Sequence, residues 1–224
     1  MKTKAVRMYG KDDLRLETFE LPQIKDDEIL VKVMSDSICM STYKLVQQGK
    51  AHKRCPQNVD TNPVIIGHEF AGVIAQVGDK WKDQFKVGDK FAQQPALNYK
   101  GRLDSPGYSY EWCGGATEYC IMPHEVMELG CLLPYEGKSF YKASLGEPMS
   151  CIIGGYHSNY HTNKRDHSHQ MGTKVDGNIL VLGGCGPMGL GTIEYGLHFE
   201  NKPKRIVVTE IDDARIERAK QVIS

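Results

Sequence analysis

The run Ile179-Leu180-Val181-Leu182-Gly183-Gly184-Cys185-Gly186-Pro187-Met188-Gly189 sets spaced glycines directly after a short apolar strand and at the opening of a helix. A glycine at 184 permits a tight turn, one at 186 lets the backbone approach a pyrophosphate, and one at 189 lets the helix pass close to the sheet. Backbone N–H groups at the helix start can then face phosphates without a basic side chain. Pro187 suits the first helical turn, where its missing N–H breaks no internal bond, and Met188 follows it. Glu210 lies 21 residues after Gly189 and just past the next strand. Its carboxylate is placed to accept from an adenosine ribose diol and to repel a 2′-phosphate, which favours NAD(H) over NADP(H). The plain alternative is a glycine turn in a generic α/β protein with Glu210 as surface charge. The strand, helix, strand setting favours the dinucleotide site.

Around this motif, residues 175–224 predict a β-α-β-α series: a strand at 178–182, a helix at 187–199, a strand at 205–209, and a last helix capped by Asp212 or Asp213. That is the opening of a parallel, Rossmann-type sheet. Residues 1–174 have a different rhythm. Strand candidates at 4–8 and 14–17 flank Gly10-Lys11-Asp12-Asp13, and 28–34 carries Ile29, Val31 and Val33 at period two. Further strands are expected at 70–77, after the turn at 85–91, and at 117–122, in an antiparallel, partly barrel-like β domain. Residues 94–115 read as an excursion on it. Residues 142–150 read as a short helix that Gly146 and Pro148 interrupt, and 157–174 as a polar, histidine-rich connector.

With 28 basic and 28 acidic residues the chain carries no net charge, so no overall field draws it to nucleic acid or to an anionic membrane. Neither a hydrophobic signal segment nor an apolar stretch of membrane-spanning length occurs, and the expectation is a soluble cytoplasmic protein. Its seven cysteines are scattered without a CxxC pair, which argues against a disulfide framework and leaves a thiolate for metal. Cys39, His68 and Glu147 can offer sulfur, nitrogen and oxygen to one zinc ion, with Glu69 as a further ligand or a neighbouring acid. Long separations leave their convergence open: each could instead be a core thiol, a turn residue or a surface acid.

In the Cys39 segment, in Gly67-His68-Glu69-Phe70-Ala71-Gly72-Val73-Ile74, in Val87-Gly88-Asp89-Lys90-Phe91, in Glu147-Pro148 and in the glycine run, the chain resembles the zinc-containing medium-chain alcohol and polyol dehydrogenases. The likeness is to their sorbitol-dehydrogenase-like branch and covers essentially the whole length. It implies a GroES-like catalytic domain with its connecting segment over 1–174 and an incomplete Rossmann domain over 175–224. It also implies one catalytic zinc at Cys39, His68 and Glu147, Glu69 as the acid that can approach the ion, and Ser41 as the proton relay for alcohol oxidation with NAD(H). Thr42 departs from the acidic residue common after that serine. Many relatives bind a structural zinc through four cysteines. Residues 94–118 contain only Cys113, so that ion is not expected, and Tyr99, Tyr108, Tyr110 and Trp112 are expected to pack this lobe instead.

Gly155-Tyr156-His157-Ser158-Asn159-Tyr160-His161, followed by Lys164, Arg165, His167 and His169, is similar to a subgroup acting on sugar phosphates such as sorbose 1-phosphate. Cationic groups here, or Lys44, Lys53 and Arg54 near the mouth of the site, could receive a phosphate through charge-assisted hydrogen bonds. Solvation of a polar linker is the plainer reading of the histidine-rich run. Family members continue through the rest of the nucleotide sheet, so the resemblance implies a C-terminally truncated chain of weak or no activity, with open strand edges that a second copy could cover. Two other readings stay open: a catalytically inactive nucleotide-binding or structural fragment, and a zinc-independent quinone-reductase-like enzyme.

Overall fold

The computed structural model describes residues 1–223, and their contacts divide into two compact units, Met1–Glu147 and the residues from Pro148 onward. In the first unit, β1 (Lys2–Gly10) pairs antiparallel with β2 (Asp13–Glu20) across the turn that Asp12 closes at φ +56°. Then follow β3 (Ile29–Asp36), α1 (Met40–Gln48), β4 (Val64–Ile65), β5 (Phe70–Val77), β6 (Lys90–Gln93), β7 (Tyr119–Met122), α2 (His124–Glu128), β8 (Leu132–Pro134) and α3 (Phe140–Ser144). One sheet runs β2-β1-β4 and another β7-β3-β5-β6-β8, with a bridge between Ala5 and Thr117. All pairings in both are antiparallel, as the short alternating strands predicted.

The core explains that pairing. Ile29 and Val31 are fully buried with Phe70, Ile74, Phe91 and Met122, while Leu30 packs on the opposite side with Leu21 and Ile121. Strand β3 is thus covered on both faces at its start. A second cluster of Met8, Leu45, Val59, Val64 and Tyr108 ties α1 to the first sheet. That helix was not foreseen, because it is short and Leu45 is its one fully covered apolar residue.

Helix α4 (Gly146–Ser158) starts at the end of the first unit and leads, in the second, into a hairpin of β9 (Tyr160–Thr162) and β10 (His169–Met171). The parallel pair β11 (Asn178–Leu182) and β12 (Arg205–Thr209) follows, with α5 (Pro187–His198) between them and α6 (Asp213–Val222) after. Both strands lie where the sequence predicted them. Asp212 caps α6, accepting from the N–H groups of Ala214 and Arg215. Two expectations need correction. The single short helix at 142–150 is two helices, α3 and α4, separated at Leu145, and Pro148 sits harmlessly in the first turn of α4. The polar connector begins as helix and continues as a hairpin, in which His161 Nε2 meets Gln170 Oε1 at 2.9 Å and Tyr160 packs on His169. Just before it, Tyr156 in α4 bonds the Thr192 carbonyl and packs against Tyr195 and Phe199.

Candidate metal centre and nucleotide loop

Antiparallel pairing of β3 with β5 brings two distant segments side by side. Asp36 at the end of β3 is opposite Phe70 at the start of β5, and the Ser37 N–H donates to the Glu69 carbonyl. Cys39 therefore emerges beside His68 and Glu69 despite the sequence between them. Gly67 sits at φ +89°, and a side chain there would run into the Asp36 carboxylate, so only glycine lets the chain turn this close to β3.

One donor atom each from Cys39, His68 and Glu69 lies within 4.8 Å of the others. His68 and Glu69 are buried, and Cys39 is half-buried as the N-cap of α1. His68 Nδ1 lies 3.2 Å from Thr42 Oγ1. With its Nδ1 proton donated to that hydroxyl, the ring turns the Nε2 lone pair toward Cys39 and Glu69, the tautomer a metal requires. Thr42, which departs from the acidic residue common after this serine, thus contacts the His68 ring directly. Burial, and secondarily the Arg54 charge, lowers the His68 pKa to about 4, which keeps the imidazole neutral. Burial raises the Cys39 thiol above its ordinary value, hydrogen bonds from Ser41 oppose that rise, and Glu69 adds to it. A thiolate and a carboxylate beside a neutral imidazole form a donor set that a divalent cation neutralises, and its sulfur, nitrogen and oxygen atoms suit zinc.

Ser41, expected as the proton relay, is at the centre of this group, with Oγ 3.0 Å from Cys39 Sγ and 3.2 Å from His68 Nε2. Tyr108 also joins it. Its hydroxyl donates to Ser41 Oγ at 2.7 Å and lies 3.2 Å from His68 Nε2, and burial pushes its pKa up to about 12. The tyrosine was expected only to pack the lobe. Its position 40 residues beyond His68 carries no local signal of this contact. His52 stacks on its ring at 5.7 Å, and the Arg54 guanidinium lies 5.5 Å from the ring centre. Of the three cations expected at the mouth, Arg54 is half-buried here, whereas Lys44 and Lys53 are exposed.

Glu147 stands in the first turn of α4, outside the 4.8 Å set formed by the other three donors, though its charge acts on Tyr108. Cys113 is a core thiol beside Met122. Tyr99 and Tyr110 pack on the main core and Trp112 on a smaller cluster.

In the second unit the glycines divide their work differently from expectation. Gly183, at φ +62°, makes the turn assigned to Gly184. Gly184 is required for packing, since a Cβ there would lie 2.6 Å from Val208 Cγ1. A Cβ on Gly189 would lie 2.2 Å from the Gly184 carbonyl oxygen, the close helix passage predicted for it. Gly186 is the N-cap of α5, with open space where its side chain would be, followed by Pro187 and the exposed Met188. Glu210 accepts from the Ile211 N–H at 2.8 Å and from the Cys185 N–H at 3.4 Å, which lowers its pKa and fixes the carboxylate across the glycine loop.

Residues 25–130 match the model of the alcohol dehydrogenase GroES-like domain. Over 222 residues the chain is 50% identical to mannitol-1-phosphate 5-dehydrogenase of Aliivibrio fischeri, a match covering 99% of this chain and 52% of that protein. By these matches the chain is similar to the medium-chain alcohol and polyol dehydrogenases, in their sorbitol- and mannitol-dehydrogenase-like branch. It is 46% identical over 219 residues to L-sorbose 1-phosphate reductase of Klebsiella pneumoniae, covering 98% of this chain and 53% of that protein. Among solved structures, 2R,3R-butanediol dehydrogenase from Bacillus subtilis superposes with a TM-score of 0.76 at 25% identity, over 98% of this chain and 61% of that one. The chain spans about half the length of the curated relatives it matches. Among the described residues, no helix is long and apolar enough to cross a membrane.

Proposed function

We propose that this chain carries the metal centre and the opening nucleotide loop of a zinc-dependent, NAD(H)-linked oxidoreductase that interconverts a secondary alcohol and a ketone on a polyol or sugar phosphate. The observation that carries the reading is the meeting of Cys39, His68 and Glu69, three donors of different chemistry, beside a hydroxyl able to move a proton. Cys39 and His68 would hold the ion with Glu69 as the carboxylate already within reach, and Glu147 would supply a carboxylate from the first turn of α4. When bound, zinc acts as a Lewis acid that favours negative charge on the substrate oxygen. Ser41 relays the alcohol proton during oxidation, releasing its own hydroxyl proton to water as it accepts, and runs the relay in reverse during reduction. Thr42 holds the His68 ring, and the buried surroundings keep that ring neutral so that it stays a ligand. Gly184, Gly186, Pro187, Met188 and Gly189 present backbone to the pyrophosphate, and Glu210 selects NAD(H) through the ribose.

A phosphorylated substrate, sorbose 1-phosphate among the candidates, is favoured by the likeness to mannitol-1-phosphate 5-dehydrogenase and L-sorbose 1-phosphate reductase. Arg54 supports it as a cation beside the Tyr108 ring, with Lys44 and Lys53 as outer contacts. The test pairs each free polyol or ketose with its phosphate ester on the intact gene product. The reading expects kcat/KM at least about tenfold higher for the ester, the scale of one charge-assisted contact. Equal turnover would contradict the phosphate assignment, and turnover undiminished by chelation would contradict the zinc.

A further inference from the structure

Tyr108 has no assigned role, yet its hydroxyl is held firmly beside the proposed metal. Three features fix its hydroxyl. Its loop is pressed onto the backbone at Gly67: Gly107 is at φ +74°, and a Cβ there would lie 2.1 Å from the Gly67 carbonyl oxygen. Ser109 Oγ donates to the Arg54 carbonyl at 2.8 Å, and the Tyr108 N–H donates to the Ser105 carbonyl at 3.1 Å, anchoring both sides of the residue. The ring is 5% exposed, packed between His52 and His68. The hydroxyl that results points at Ser41 Oγ.

We propose that Tyr108 is a positioning residue that sets the direction of the Ser41 hydroxyl. Ser41 Oγ has one proton to give and two lone pairs to fill. By donating to it at 2.7 Å, Tyr108 occupies a lone pair and turns the serine's own proton away from the tyrosine, toward the side where Cys39 Sγ and His68 Nε2 lie. With those two atoms committed to a metal, the acceptor left for that proton is an oxygen ligand of the ion. Tyr108 thereby acts through Ser41 on whatever oxygen the metal holds. This inference rests on the metal reading above and adds the residue that orients its proton relay.

The test is a double-mutant cycle on the chain loaded with cobalt(II), whose visible spectrum reports thiolate ligation and ligand exchange. Acetohydroxamate serves as the oxygen-donor probe. Tyr108→Phe keeps the ring and its stacking. It is expected to weaken probe binding about fivefold to tenfold when Ser41 is present, the scale of one hydrogen bond, and by less than about twofold in a Ser41→Ala background. The cobalt–thiolate band stays unchanged. Equal loss in both backgrounds, or no loss in either, overturns the proposal. Failure of the unaltered chain to bind cobalt overturns the metal reading and this inference together, whereas cobalt binding with additive losses overturns this inference alone. A structure of the cobalt–acetohydroxamate form gives a check without a variant: the Tyr108 and Ser41 oxygens stay about 3 Å apart if the proposal holds, and separation beyond about 4 Å overturns it.

Discussion

The candidate metal centre and the glycine loop would each hold a charged partner, and they are built for it by opposite means. The loop is built almost entirely of backbone within one stretch, from Gly183 to Gly189, with Glu210 closing it from the next strand. The metal centre is built of side chains from segments that only strand pairing brings together: Cys39 after β3, His68 and Glu69 before β5, and Tyr108 on a loop pressed against Gly67. A backbone site depends on the absence of Cβ atoms, and a side-chain site on burial and long-range register. Each should therefore fail by its own route and leave the other intact.

The largest expected effect is at the metal. His68→Ala removes the central nitrogen donor and should lower zinc affinity by about a thousandfold or more, read by competition with a chelator, since the remaining donors no longer complete a site. NAD affinity of the intact protein should change by less than about twofold. Gly189→Val is the converse. Its side chain would enter the space of the Gly184 carbonyl, and a loss of about 3 kcal/mol from the second unit with collapse of NAD binding is expected, by denaturation and fluorescence titration. Zinc stoichiometry should not move. Loss of zinc in that variant would break the claim that the two sites fail separately.

A smaller effect sharpens the role of burial in the first unit. Asp36 has an unpartnered, buried Oδ1, and burial raises its pKa from 3.8 to about 7, with the Glu69 charge adding to the rise and a backbone hydrogen bond at Glu69 opposing it. A folded pKa above the unfolded value means stability that is fully present below about pH 4 and lost as pH rises through 7. Asp36→Asn should therefore gain about 2–4 kcal/mol at pH 8 relative to the parent and little at pH 4, measured by urea unfolding at both. A gain independent of pH would show that packing, not charge, governs that position. The smallest effect is in the loop: Glu210→Gln should weaken NAD binding about tenfold and narrow the gap to NADP, since its half-buried carboxylate would meet the ribose at the edge of the glycine loop.

This contrast also explains what the sequence disclosed. Strands β11 and β12, the Asp212 cap and the Gly189 approach were readable because each depends on neighbours within a few residues. Even there, the turn belongs to Gly183 rather than Gly184, since two adjacent glycines offer no local ground for choosing the positive φ. In the first unit, Cys39, His68 and Glu69 could be named as donors, but only the β3–β5 register shows that they meet. Tyr108 was invisible as a site residue because its role comes from a loop docking far from its own segment. The helix at Met40–Gln48 escaped because it is short and buries only Leu45 deeply, and the β9–β10 hairpin because its strands are short and exposed.

Zinc analysis of the purified chain combined with X-ray absorption at the zinc edge tests the central claim most directly. The account predicts one zinc per chain, with one sulfur scatterer at about 2.3 Å and nitrogen or oxygen scatterers near 2.0–2.2 Å. The sulfur shell should vanish in Cys39→Ser. Substoichiometric zinc, or one zinc with no sulfur in its first shell, would contradict it.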